Sequence, residues 1–136
     1  MKAEKQLFCT SCTSELQSIR QYVKSSCEAF GLSEDKTNLV VLAVDEACAN
    51  VIRHGYDYSK QGAICIEARK TNEFGIFLIK DNCPKIADAD LKPLENEPLK
   101  PGGLGLRLIH DVMDSVSLIP CKEGGNQLEL KIKLKG

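Results

Sequence analysis

The chain is predicted to be an α+β two-layer sandwich, one mostly antiparallel sheet covered on one face by helices. Three observations carry this. Two helical periods precede the longer strand-like runs, those runs arrive as neighbouring pairs joined by short polar turns, and a single further helix separates the two pairs. With 136 residues there is room for one core and no second folded unit, so a single domain over 1-136 with one principal site is expected.

Residues 5 to 12 suit a short strand. Ser14 with Gln17 forms a capping-box pattern, and Leu16, Ile19, Val23, Cys27 and Phe30 then keep one helical face until Gly31 ends it. Ser33 is placed to cap a second helix, with Glu34 and Asp35 in its first turn. Val41, Val44, Cys48 and Val51 mark its apolar stripe through about residue 54, and Gly55 closes it. The runs 63 to 69 and 74 to 80 read as a hairpin around Thr71-Asn72-Glu73. Between Asp81 and Gly103 the period dissolves, and four of the five prolines (Pro84, Pro93, Pro98, Pro101) fall there, which marks a long functional loop. A third helix is expected from Leu104 to about Asp114, followed by strands at 115 to 120 and 127 to 134 with Gly124-Gly125-Asn126 between them.

Composition narrows the function classes. Apolar residues make up 43% and charged residues 27%, an ordinary globular balance, and the net charge of -1 leaves no clustered basic excess for neutralising nucleic-acid phosphates. The N-terminus leads into no signal-peptide core, and no apolar run approaches the roughly 20 residues of a membrane helix, so a cytoplasmic location away from the membrane is expected. Seven cysteines are scattered and odd in number, which reads as small buried apolar side chains and not as a disulfide framework. Cys9 and Cys12 have the spacing of half a zinc site, yet no second pair completes it, and an edge-strand reading is preferred.

Three features carry chemistry. Glu46, Asn50 and His54 recur every four residues on the second helix, a polar stripe that is either a solvated face or one wall of a cleft. In a cleft, the carboxylate accepts a proton or orients a water, and the carboxamide oxygen is a hard ligand for Mg²⁺ bound with phosphates. Asp81 ends a strand-like run, where an aspartate either forms a turn or waits as a fixed acceptor for an exocyclic amine. The segment Pro101-Gly102-Gly103-Leu104-Gly105-Leu106 brings three glycines to a helix start. Their backbone can approach a ligand closely, and helix N-terminal amides favour phosphate, but the segment is neither a P-loop nor a Rossmann fingerprint.

Taken in order, Val44-Asp45-Glu46-Ala47-Cys48-Ala49-Asn50-Val51-Ile52-Arg53-His54-Gly55-Tyr56, then Asp81, then Gly102-Gly103-Leu104-Gly105-Leu106, resemble the nucleotide boxes of the gyrase, Hsp90, histidine-kinase and MutL superfamily. The Glu-Ala-x-x-Asn-x-x-x-His-Gly-Tyr form is most similar to the anti-sigma factor serine kinases. The resemblance implies a Bergerat-type ATP-binding fold, with ATP and Mg²⁺ as cofactors. It implies that Asn50 ligates the metal, that Glu46 is the general base towards a partner serine, and that Asp81 binds the adenine amine. Cys83, Gly102, Gly103, Leu104, Gly105 and Leu106 would then join the ATP site, Gly103 and Gly105 bringing lid and helix amides to the phosphates, and His54 would shape the helix end. The implied partners are a sigma factor, an anti-sigma antagonist or both, and the implied assembly is a homodimer.

The chain departs from the family pattern twice. Cys83 stands where the adenine box usually has glycine, and Asn126-Gln127 stands where many relatives carry a threonine near the final strand. A non-catalytic nucleotide-dependent switch of the same fold is the alternative to the kinase, and Glu46, which a pure binder does not need, favours the enzyme. The catalytic half of a histidine kinase fits less well, since neither His54 nor His110 sits where a phosphoacceptor histidine would.

Overall fold

The computed structural model describes residues 6–55, 62–82, 103–120 and 125–134. In chain order these form β1 (Gln6–Thr10), α1 (Leu16–Phe30), α2 (Glu34–Asn50), β2 (Ala63–Lys70), β3 (Phe74–Asp81), α3 (Gly103–Val112), β4 (Ser115–Pro120) and β5 (Asn126–Lys133). The strands make one sheet in the order β1-β2-β3-β5-β4, every neighbouring pair antiparallel. This is the expected α+β sandwich.

Alternation along the strands decides which face is covered. Ile64, Ile66 and Ala68 of β2, Phe77 and Ile79 of β3, and Leu128, Leu130 and Ile132 of β5 are buried on one face. They share a core with Ile19, Val23 and Cys27 of α1, with Val40, Ala43, Val44, Ala47 and Cys48 of α2, and with Ile109 of α3. The helical stripe read from the sequence is thus the stripe that is buried. Tyr22 ties the layers together: its hydroxyl accepts the Ala68 N–H at 2.9 Å, just beyond the last β1 partner, Glu67. The ring of Phe30, at the end of α1, lies 5.8 Å from Phe77 at a tilt of 56°.

The helix ends partly follow the expected signals. Ser33 caps α2 as expected, its hydroxyl accepting from Lys36 N at 3.2 Å in extended backbone. Ser14 does not cap α1. A 3-10 turn, Thr13–Glu15, leads straight into the helix, and Glu15 at the cap position is already helical (φ -79°, ψ -13°). A side-chain cap needs extended backbone there, so the box cannot close. The Ser14 hydroxyl lies instead 3.1 Å from the Cys12 thiol.

The second helix also ends differently. Its α-helical part stops at Asn50, and the chain closes through a wider π-helical turn, Val51–Gly55. Val51 and Ile52 are both buried there, consecutive side chains that an α-helical turn would splay by about 100° and a π turn by less.

In the hairpin, Thr71 N donates to Phe74 O at 2.8 Å and Phe74 N donates back to Thr71 Oγ1 at 2.9 Å. β1 is an edge strand, with Cys9 buried in the core. Among the described residues no helix is long and apolar enough to cross a membrane.

Candidate functional site

The candidate site residues lie on three elements. On α2 the flank carrying Asp45 is held by α1, through an ion pair from Arg20 Nε at 2.8 Å. Glu46 lies about 100° further round the helix and Asn50 one turn beyond it, away from that contact. Both are half-buried. Glu46 and Asn50 share one local constellation.

What joins them is Arg53. Its Nη2 donates to Asn50 Oδ1 at 2.7 Å and to Glu46 Oε1 at 2.9 Å. Arg53 was quoted in the motif without a role. Its spacing held the signal, three residues after Asn50 and seven after Glu46, two intervals that return a helical side chain to the same face. The side chain of the stripe's third member, His54, lies outside the described residues.

The cluster tests whether a divalent ion fits. A carboxylate oxygen and a carboxamide oxygen already converge on one positive nitrogen, which stands in for a cation, and both are hard donors of the kind Mg²⁺ takes. Among the described residues no group of three or more His, Cys, Asp or Glu gathers to hold an ion. The donor set therefore fits an ion that draws most of its ligands from a nucleotide's phosphates, and Cys9 with Cys12 gathers no further ligands of these types.

Asp81 is the last residue of β3. It follows Phe77 and Ile79 at intervals of two, so its carboxylate is on the helix-covered face, at the end of the sheet, and only 8% exposed. Directly across the ladder is Asn126, 1% exposed, whose Nδ2 donates to Asp81 Oδ1 at 3.1 Å. The sequence marks Asn126 only as standing where many relatives carry a threonine. Asn126 supplies instead a buried donor that orients the aspartate. The neighbouring Gly125 has φ +84°, and a Cβ there would come within 2.1 Å of Asp81 O, so a glycine is required where β5 starts beside the aspartate.

The glycine run reaches the structure in part. Gly103, Leu104, Gly105 and Leu106 form the first turn of α3, one residue earlier than expected, and α3 is packed on α2. Its N-terminal amides are the first-turn donors that a helix leaves without intrahelical acceptors. Cys83 and Gly102 lie outside the described residues, as does most of the stretch between Asp81 and Gly103.

Residues 9–132 match the family model of the histidine kinase-like ATPase domain. Over 101 residues the chain is 33% identical to an anti-sigma F factor of Clostridium kluyveri, covering 71% of this chain and 70% of that one. It is 29% identical over 113 residues to the serine-protein kinase RsbW of Bacillus subtilis, covering 72% of this chain and 66% of that one. Among solved structures, the RsbU and RsbW domains of a Mycobacterium tuberculosis protein superpose with a TM-score of 0.67 at 16% identity. That match takes in 96% of this chain but only 32% of the two-domain structure, and it speaks for the fold alone. With the family model spanning nearly the whole described core, the chain belongs to the histidine kinase-like ATPase family, in the branch of the anti-sigma serine kinases.

Proposed function

We propose that the chain is an ATP-binding serine/threonine protein kinase of the anti-sigma type, which binds a partner protein and phosphorylates it. The observation that carries this is the convergence of Glu46 and Asn50 on one cationic nitrogen. A base and a metal ligand one helical turn apart are what phosphoryl transfer from a metal-bound nucleotide needs. Asp81, held by Asn126, receives the adenine amine, and the first-turn amides of α3, Gly103 to Leu106, face the phosphates. Gly102 and Cys83, from the segment leading into α3 and from the adenine box, complete the expected ATP contacts. Mg²⁺, when bound through Asn50, neutralises charge on the phosphates.

In this reading Glu46 takes the proton of a partner serine hydroxyl. The serine oxygen bonds to the γ-phosphorus as the bond from that phosphorus to the β–γ bridging oxygen breaks, and ADP departs. The relatives' names, an anti-sigma F factor and a serine-protein kinase, support a sigma factor as a binding partner and a protein serine as phosphoacceptor; an anti-sigma antagonist is the acceptor proposed here.

The test is single-turnover transfer from γ-labelled ATP to the antagonist-type protein, with wild type and Glu46→Gln compared. The glutamine keeps the shape and removes the basicity. Nucleotide affinity is expected to stay within a few-fold, and transfer to fall by about 10²–10⁴-fold. Transfer at the wild-type rate by the variant would remove Glu46 from the chemistry. Tight binding of the partner with no transfer by wild type would favour the nucleotide-dependent switch.

A further inference from the structure

We propose that Arg53 is a positioning residue that competes with the divalent ion, holding Glu46 and Asn50 together in the ligand-free site and setting how much Mg²⁺ is needed to load the nucleotide. The inference rests on the reading of Asn50 as the metal ligand and goes beyond it, because it concerns a residue to which that reading gives no role.

One nitrogen, Arg53 Nη2, occupies the point where the two oxygens meet, at 2.7 Å from Asn50 Oδ1 and 2.9 Å from Glu46 Oε1. A guanidinium on that oxygen and a divalent ion on the same oxygen would stand only a few ångströms apart among half-buried side chains, where water screens their repulsion only in part. The two positive groups therefore compete for Asn50 Oδ1, and binding through the metal is favoured when Arg53 leaves.

Leaving is easy enough to make this a tuning device and not a block. The Arg53 side chain is 31% exposed and that of Glu46 is 23% exposed, so the pair is partly solvated and its net worth is modest. The arm starts in the π-helical turn Val51–Gly55, just beyond the end of α2. Without metal the same contacts keep the base and the ligand from repelling or splaying. Arg53 thus preorganises the two oxygens and charges a cost in Mg²⁺ for their use.

The experiment measures ATP affinity of the full chain at a series of free Mg²⁺ concentrations, and in EDTA, for wild type, Arg53→Met and Arg53→Lys. Methionine keeps an unbranched apolar stem and removes the charge. The half-saturating Mg²⁺ is expected to fall roughly 1.5- to 5-fold in Arg53→Met, the scale of a partly exposed charged contact. Arg53→Lys, which restores a compact charge without the planar fork, is expected to lie between the two. Circular dichroism checks that each variant is folded, and a merely structural loss would weaken binding equally with and without metal.

An unchanged or raised half-saturating Mg²⁺ in Arg53→Met overturns the proposal. So does a loss of affinity confined to EDTA, which would make Arg53 a phosphate ligand. If Mg²⁺ affects binding equally in all three proteins, this inference alone fails. If Mg²⁺ has no effect in wild type, the metal reading of Asn50 fails with it.

Discussion

Cys27 is fully buried against β-sheet and helices, and that burial, reinforced by the neighbouring Glu28 carboxylate, pushes its thiol up to about 12 from an ordinary value of 9.0. Cys48, equally buried, is pushed upward as well, by burial and then by Asp45. The folded state thus favours the neutral thiol. A group whose pKa is raised on folding contributes its full stability below the unfolded value, and that contribution is lost as pH rises towards the folded one. Between pH 9 and 12 the wild type is therefore expected to lose stability more steeply than Cys27→Ala, whose baseline is lower because of the cavity but lacks this proton linkage. Equal slopes in urea melts across that range would contradict it. The sequence showed these cysteines as apolar, and their helical spacing made that legible. Nothing in it showed that Asn126 faces Asp81, because the two stand 45 positions apart and meet only through the β3–β5 register.

At the scale of elements, the end of β3 and the start of β5 form one local unit around Asp81. Gly125 is its hinge pin: φ is +84°, and a Cβ would lie 2.1 Å from Asp81 O and 3.1 Å from Asn82 Cα. Both contacts are backbone, so no rotamer can relieve them. Gly125→Ala is expected to destabilise the fold by about 2 kcal/mol or more, through left-handed backbone strain plus a forced shift of the strand end. The same shift moves the carboxylate, so ATP affinity should drop along with thermal stability. A variant with native melting temperature and affinity would show that the turn has another route. The turn Gly124-Gly125-Asn126 was visible as a glycine cluster, but which glycine needs left-handed backbone depends on how close Asp81 passes. Helix ends were legible to different degrees for a similar reason. Ser33 met an extended backbone and capped, whereas Ser14 met a 3-10 turn and did not.

For the whole molecule, the proposed nucleotide contacts come from α2, β3 and α3, three elements that join one core through Cys48, Ile79 and Ile109. A ligand that bridges them binds only the folded state and should stabilise all of it together. At ATP about 100 times its dissociation constant the gain is about 2.7 kcal/mol, an expected rise of roughly 8–13 °C in the melting temperature of a domain of this size. Asn50→Ala should keep the rise seen in EDTA and lose the further rise brought by Mg²⁺, because a methyl group cannot ligate the ion. A Mg²⁺ increment of wild-type size in that variant would take Asn50 out of the metal site.

By itself the sequence determined the fold class, the order and approximate bounds of every described strand and helix, and the three boxes that lie along them. These are properties of local period and local chemistry: apolar spacing selects helix or strand, and glycine, asparagine and serine mark the ends. Tertiary structure alone decided the sheet order β1-β2-β3-β5-β4, the burial of Asn126 against Asp81, and the π-helical turn that carries Arg53. It also decided that Asp45 goes to Arg20 of α1, whereas the meeting of Glu46 and Asn50 with Arg53 follows local helical spacing. Local pattern fixes which face a residue occupies, but a partner distant in the chain is chosen only when packing brings its element alongside.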